Sequence, residues 1–241
     1  MPHAPHDREI MIEEDDGILA ALVAAEARAL ALLDAIEAAG LIAAGRTEAE
    51  IERDIFAIAS RDFDVTDHWH DRVVRAGINT LCVAGEAAAD RVVADDDMVF
   101  LDLGPVFGGW EADVGRSYAV GGDPAKQALC TDLPAVFDAI KARFDAEPDI
   151  TGAALYAFAH EEAERHGWLF GGKIAGHLVG QFPYARSPGN RELRWIWPGN
   201  PQPMRNRDPS GRRRNWILEV HLLSPDRLFG GFYERLLHDA V

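Results

Sequence analysis

The sequence predicts an α+β fold. Two long helical patterns open the chain. Apolar runs joined by glycine or by short turns recur later as antiparallel hairpin signals. Further helices fall between the two groups of strands without a regular strand–helix–strand alternation. No repeat of solenoid spacing is visible. At 241 residues the chain is ample for a buried core, and 48% hydrophobic residues fit a globular protein, not a disordered one.

Taken in order, residues 1–15 read as a loose acidic tail and residues 16–241 as a single domain. An alanine-rich helix is expected over 17–39, stopped by Gly40. In "RTEAEIERDIFAIASRDF", Thr47 and Glu50 form a capping box, and Ile51, Ile55 and Ile58 give the apolar stripe of a second helix. Strand character runs from Arg72 to Val83. A hairpin follows over "VFLDLGPVFGGWEADVGRSYAVGG", Val99 to Gly122. Asp123 and Pro124 then start a helix that Pro134 is placed to break. "TGAALYAFAHEEAERHGW" is another helix. From His177 onward the pattern is strand, long loop, strand ("WILEVHLL"), turn, strand ("GFYERLL").

Composition narrows the partners. A net charge of −16 argues against nucleic acid and against an anionic membrane surface. The longest apolar stretch is interrupted by Glu26, Arg28 and Asp34, so it reads as a helix and not a membrane span. "MPHAPHDREIMIEEDDG" does not read as a secretion signal. Cys82 and Cys130 form no CxxC pair, which suggests a reducing compartment and a cytoplasmic protein.

The hairpin poses the chemical question. Asp102 and Asp113 each sit in a strand that otherwise reads as buried, where an unpaired charge costs several kcal/mol. With the turn centred between Phe107 and Gly108, the two aspartates face each other directly. A shared proton, an arginine such as Arg116, or cations would relieve the repulsion. Elsewhere, His177 lies in the small-residue setting "AGHLVG". Glu219 and Glu234 lie in the apolar runs "WILEVHLL" and "FYERLL". A glutamate in such a strand is rarely left unpaired. Four carboxylates and one imidazole converge best on divalent metal, with Mn, Co, Fe or Zn suited to that donor set. Two ions about 3.5–4 Å apart are the arrangement that activates water.

In order and spacing, these residues resemble the M24 metallopeptidase family, which includes methionine aminopeptidase, aminopeptidase P and prolidase. "LDLGPVFGGWEADVGRSYAVGGDP" is close to the family pattern, and "RAGINT" resembles the segment that precedes it. The resemblance covers roughly residues 16–241, without the N-terminal domain of prolidase-like members. It implies the pita-bread fold, a curved and mostly antiparallel sheet covered by helices. It also implies two divalent ions held by Asp102, Asp113, His177, Glu219 and Glu234, with Glu219 doubling as general base. The expected activity is hydrolysis of an amide bond in a small peptide, by an aminopeptidase or an Xaa-Pro peptidase. The other readings are a non-peptide C–N or C–O bond on the same metals, and an inactive binding scaffold.

The chain departs from the family around the substrate. Histidines usual there in peptidase members are replaced by Ala84 and Tyr184, and the one that aminopeptidase P carries by Lys173. Replacement donors are at hand. His68, His70 and Arg72 alternate on one strand face, and His221 shares a face with Glu219. His70, His221 and Tyr184 are candidate catalytic donors, and His68 a substrate contact. Residues 185–215 carry eight arginines against Glu192 and Asp208. Rooted between the strands of His177 and Glu219, this loop is expected to offer Arg186, Arg191, Arg194, Arg205 or Arg207 to a substrate carboxylate, directly or across a homodimer interface. Pairing with the acidic surface nearby is the alternative.

Overall fold

A computed structural model of the protein describes residues 5–83, 85–184 and 191–238. Within them lie four α-helices, α1 (Pro5–Ala38), α2 (Glu48–Phe63), α3 (Pro124–Ala146) and α4 (Gly152–Arg165). Seven strands form one sheet. Its order is β1 (Val73–Ala76), β2 (Met98–Leu103), β5 (Val114–Ala119), β9 (Gly230–Leu237), β8 (Asn215–Leu223) and β6 (Leu169–Phe170), with β7 (Gly176–Val179) also paired to β8. A separate ribbon joins β3 (Val106–Phe107) to β4 (Trp110–Glu111). All pairings are antiparallel.

Local chemistry accounts for most of these elements. The capping box forms as expected: Thr47 Oγ1 accepts from the Glu50 N–H, and the Glu50 carboxylate accepts from the Thr47 N–H. Asp123 caps α3 by accepting from the Ala125 N–H. Helix α3 runs unbroken through Pro134, contrary to the expected break. A mid-helix proline costs about 3 kcal/mol. The stripe around it, Leu129, Leu133, Val136, Phe137 and Ile140, is fully or almost fully buried. Each such side chain contributes about 1.5–3 kcal/mol, so packing wins. Helix α1 reaches back to Pro5, so the acidic stretch expected to be a tail is helical from there. The expected strand over 72–83 is shorter: β1 ends at Ala76, and Gly77–Leu81 make a 3₁₀ turn entered at a positive φ on Gly77.

The hairpin register differs from expectation by two residues. Asp102 pairs with Gly115, not with Asp113, and β3–β4 pair Phe107 with Trp110. The turn is therefore centred on Gly108 and Gly109, with φ of +58° and +84°. A two-residue turn of this hand needs positive φ at both central positions, which two glycines supply and Phe107 could not. A slip of two preserves the face on which each side chain lies. Both aspartates thus stay on one face, as diagonal neighbours.

Two large cores hold the sheet against the helices, with a smaller one that joins Leu22 of α1 to Val179, Ile217 and Leu236. Leu32, Leu33 and Ile36 of α1 and Ile51 and Ile55 of α2 pack with Val99, Leu101 and Leu103 of β2. The α3 stripe and Leu155 of α4 pack with Trp216, Leu218, Val220 and Leu222 of β8. The alternate residues of β2 and β8, Phe100, Asp102, Glu219 and His221, with Phe232 and Glu234 of β9, line a cavity. Among the described residues no helix is long and apolar enough to cross a membrane.

Candidate active site

One rung of the sheet builds the site. Asp102 of β2 stands opposite Gly115 of β5, Gly115 opposite Glu234 of β9, and Glu234 opposite Glu219 of β8. Four neighbouring strands thus present three carboxylates in a row, with a glycine among them. The missing side chain is required: a Cβ on Gly115 would lie 2.5 Å from the Phe232 ring and 3.1 Å from Glu234 Cβ. Asp113 sits at the break between β4 and β5. His177 enters from β7, where it pairs with Ile217.

The side chains converge. His177 Nε2 is 3.0 Å from Asp113 Oδ2, 3.6 Å from Glu219 Oε1 and 3.8 Å from Glu234 Oε1. His70, from the segment before β1, places Nε2 3.2 Å from Asp113 Oδ1 and 3.4 Å from Asp102 Oδ1. Each oxygen of Asp113 therefore faces a different imidazole. Two overlapping donor groups result, His70–Asp102–Asp113 and Asp113–His177–Glu234, each compact enough to hold an ion.

The electrostatics are those of an acidic cluster short of cations. Asp113 and Glu234 are almost fully buried. Among the described residues, no arginine or lysine forms an ion pair with Asp102, Asp113, Glu219 or Glu234; their ion-pair partners are the two histidines. Burial pushes the Asp102, Glu219 and Glu234 carboxyls up from their ordinary values. Burial also acts on Asp113, but the charge of His70 and hydrogen bonds from both imidazoles outweigh it and hold that carboxyl down. The imidazoles respond in the opposite sense. Burial disfavours their charge, yet Asp102 and Asp113 raise His70 to about 10, and Asp113 with Glu219 raises His177 to about 9. Glu234 Oε2 is buried without a hydrogen-bond partner. An orphaned carboxylate oxygen inside an oxygen-rich, imidazole-flanked cluster fits hard or borderline divalent ions.

The cluster forms one wall of a cavity of about 600 Å³, otherwise lined mainly by apolar groups including Trp69, Val73, Phe100, Ile174, Trp195 and Phe232. Sequence reasoning misses Trp69, although it lies between two histidines in "DHWHD". Its ring meets the edges of both His70 and His177, at centroid distances of 4.4 and 5.1 Å, and its Nε1–H donates to the Ala112 carbonyl. It also misses Gly104, where a Cβ would collide with the His70 ring.

The other sequence candidates divide. His221 lines the cavity, but its Nε2 is committed to the Thr80 carbonyl at 2.8 Å, and burial holds it below its ordinary value. Lys173 and Arg75 are the lysine and arginine on the lining, and Lys173 pairs with Glu86 at 2.9 Å. His68 bridges to Pro105 outside the cavity, with burial lowering it to about 4. Tyr184 packs over Gly180 beneath the Arg194 guanidinium and does not reach the lining. Arg205 and Arg207 line a different cavity of about 130 Å³, so within one chain they are not at the carboxylate cluster. Ala84, Arg186 and the side chain of Arg191 lie outside the described residues.

Known proteins share this arrangement of the chain. The model of metallopeptidase family M24 matches residues 20–204. An X-Pro aminopeptidase from Thermotoga maritima superposes with a TM-score of 0.67 at 20% identity, over 97% of this chain and 62% of that one. A prolidase from Pyrococcus furiosus gives 0.62 at 19%, over 89% and 60%. The dipeptidase PepE from Mycobacterium ulcerans gives 0.63 at 24%, over 90% and 55%. This chain thus spans roughly three-fifths of the length of these proteins, and the likeness establishes the pita-bread fold. None of the curated proteins matches the sequence. Because the family model covers residues 20–204, most of the chain, the chain belongs to metallopeptidase family M24.

Proposed function

We propose that the cavity is the active site of a dinuclear metal-dependent hydrolase that cleaves an amide bond in a small peptide, most simply beside an N-terminal residue. The observation that carries this reading is the carboxylate rung, with Asp113 shared between two imidazoles, on the wall of an apolar cavity. A volume of about 600 Å³ suits a substrate of dipeptide size. Asp102, Asp113, His177, Glu219 and Glu234 would hold two divalent ions, Mn, Co, Fe or Zn. When bound, such ions supply Lewis-acid polarisation of a carbonyl and a lowered pKa for water.

The chain supplies the rest. Glu219 is the more exposed of the paired glutamates, at 13% against 3% for Glu234, so it is the one that reaches substrate and water. In this reading it takes the proton of the attacking water and returns it to the leaving nitrogen. Trp69, Phe100, Trp195 and Phe232 exclude bulk water and favour an apolar substrate side chain. Arg75 and Lys173 are on the lining and would be the groups to meet a substrate carboxylate, Lys173 by exchanging its pairing with Glu86.

The test is a dipeptide panel assayed with and without Mn²⁺ or Co²⁺. Turnover should require the metal. Glu219→Gln should lower kcat by about 10²–10⁴ while KM moves only a few-fold. An active Glu219→Gln enzyme would move the base elsewhere. Lys173 at the cavity wall, where the resemblance places a histidine in aminopeptidase P, favours one second reading: the same centre acting on a non-peptide C–N or C–O bond. Metal uptake without turnover of any dipeptide would select it. Failure to take up metal would leave a binding scaffold.

A further inference from the structure

We propose that His70 is itself a metal ligand, so that the centre consists of two half-sites around Asp113, each with its own imidazole. This rests on the dinuclear reading above and extends it. Sequence alone makes His70 a donor to substrate. The geometry gives it a different place.

Three observations support the assignment. The first is spacing. Two donors about 2.1 Å from one ion, at angles between octahedral and tetrahedral, lie about 3.0–3.4 Å apart. His70 Nε2 stands 3.2 Å from Asp113 Oδ1 and 3.4 Å from Asp102 Oδ1. That leaves no room for a substrate atom between them. The second is orientation. His70 Nδ1–H donates to the Asp71 carbonyl at 2.6 Å, which fixes Nε2 inward. His177 is held the same way, by Nδ1–H donation to the Leu178 carbonyl at 3.0 Å. A backbone carbonyl on the outer nitrogen is the usual support of a ligating histidine. The third is construction. The His70 ring is wedged between the Trp69 edge and the bare Cα of Gly104. Trp69 in turn is fixed by its Nε1–H to Ala112 and its backbone N–H to the Gly104 carbonyl. This packing confines the His70 ring to one place.

The two imidazoles therefore play equivalent parts. Asp113 turns Oδ1 to the His70 half and Oδ2 to the His177 half. Each half would bind its ion with one neutral nitrogen donor in a set of carboxylates. Loss of His70 would weaken one half selectively.

The experiment loads the protein with Co²⁺ and counts paramagnetically shifted imidazole N–H protons by ¹H NMR, alongside calorimetric titration. Two exchangeable shifted signals are expected, from the Nδ1–H groups of His70 and His177, with two ions bound. His70→Ala should remove one signal and weaken one of the two sites by about a hundredfold, leaving the other within a few-fold. If wild type binds two ions but shows a single shifted N–H, the proposal fails while the dinuclear reading stands. The proposal fails in the same way if His70→Ala binds both ions with unchanged affinity. If wild type binds fewer than two ions, the dinuclear reading itself falls and takes the proposal with it. The wild-type signal count decides even if the variant does not fold.

Discussion

Glu26 illustrates how far one side chain can be read physically. It lies on α1, and its Oε1 accepts the Leu236 N–H at 2.6 Å. Burial raises its carboxyl above the ordinary value, and that backbone bond with the charges of Arg235 and His238 only partly opposes the shift. The folded protein thus holds this proton more tightly than the unfolded chain does. Stability from this group is full below the ordinary carboxylate pKa, and it is lost as pH rises through the raised folded value. Glutamine keeps the acceptor oxygen and removes the charge. Glu26→Gln should therefore raise Tm at pH 8, where the wild-type carboxyl is held above its ordinary value at a cost to the folded state. The gain should vanish toward pH 4. A gain that is the same at both pH values would mean that packing, not ionisation, is responsible.

At the level of elements, the arginine-rich segment finds a partner in α1. Arg207 Nη1 lies 2.6 Å from Asp15 Oδ2, and the Arg213 N–H donates to Asp15 Oδ1 at 2.9 Å. Arg212 pairs with Glu14 at 3.2 Å and Arg213 with Asp16 at 3.3 Å. The Asp15 carboxylate is 1% exposed, so Arg207 compensates a buried charge, whereas the outer pairs are exposed and worth little. Arg207→Ala would leave that carboxylate with one backbone donor, costing about 1–3 kcal/mol. Thermal denaturation should show Tm lower by roughly 2–12 °C, and kcat/KM for a peptide substrate should stay within about twofold. An Arg207→Ala protein with normal Tm that no longer prefers a carboxylate-bearing substrate would instead support the sequence expectation, in which Arg207 contacts substrate across a dimer interface.

For the molecule as a whole, the centre couples ions to folding. Its donors come from β2, the β4–β5 break, β7, β8, β9 and the segment before β1, and they converge only when the sheet is complete. Ions that bind the folded state alone stabilise it by about 2.7 kcal/mol per site at a hundredfold excess over Kd. Two sites correspond to a rise in Tm on the order of 10–20 °C at about 2–4 °C per kcal/mol. Scanning fluorimetry with Mn²⁺ or Co²⁺, reversed by a chelator, measures it. An unchanged Tm at saturating metal would sink the linkage.

The sequence by itself determined what is local. The capping box at Thr47 and Glu50 and the strand contexts of Asp102, His177, Glu219 and Glu234 were all legible, because caps and strand alternation are set within a few residues of chain. Periodicity also placed both aspartates on one face, although it missed the register, which the positive φ of Gly108 and Gly109 fixed. Only the tertiary structure decided the contacts made across long separations. It brought His70 to Asp113, 43 residues away, and committed His221 to Thr80, 141 residues away. It also turned Arg207 toward Asp15, 192 residues away, and not toward the carboxylate cluster of its own chain. Which distant side chains meet depends on strand order and on where a missing Cβ leaves room, as at Gly104 and Gly115, and neither is a property of any short stretch of sequence.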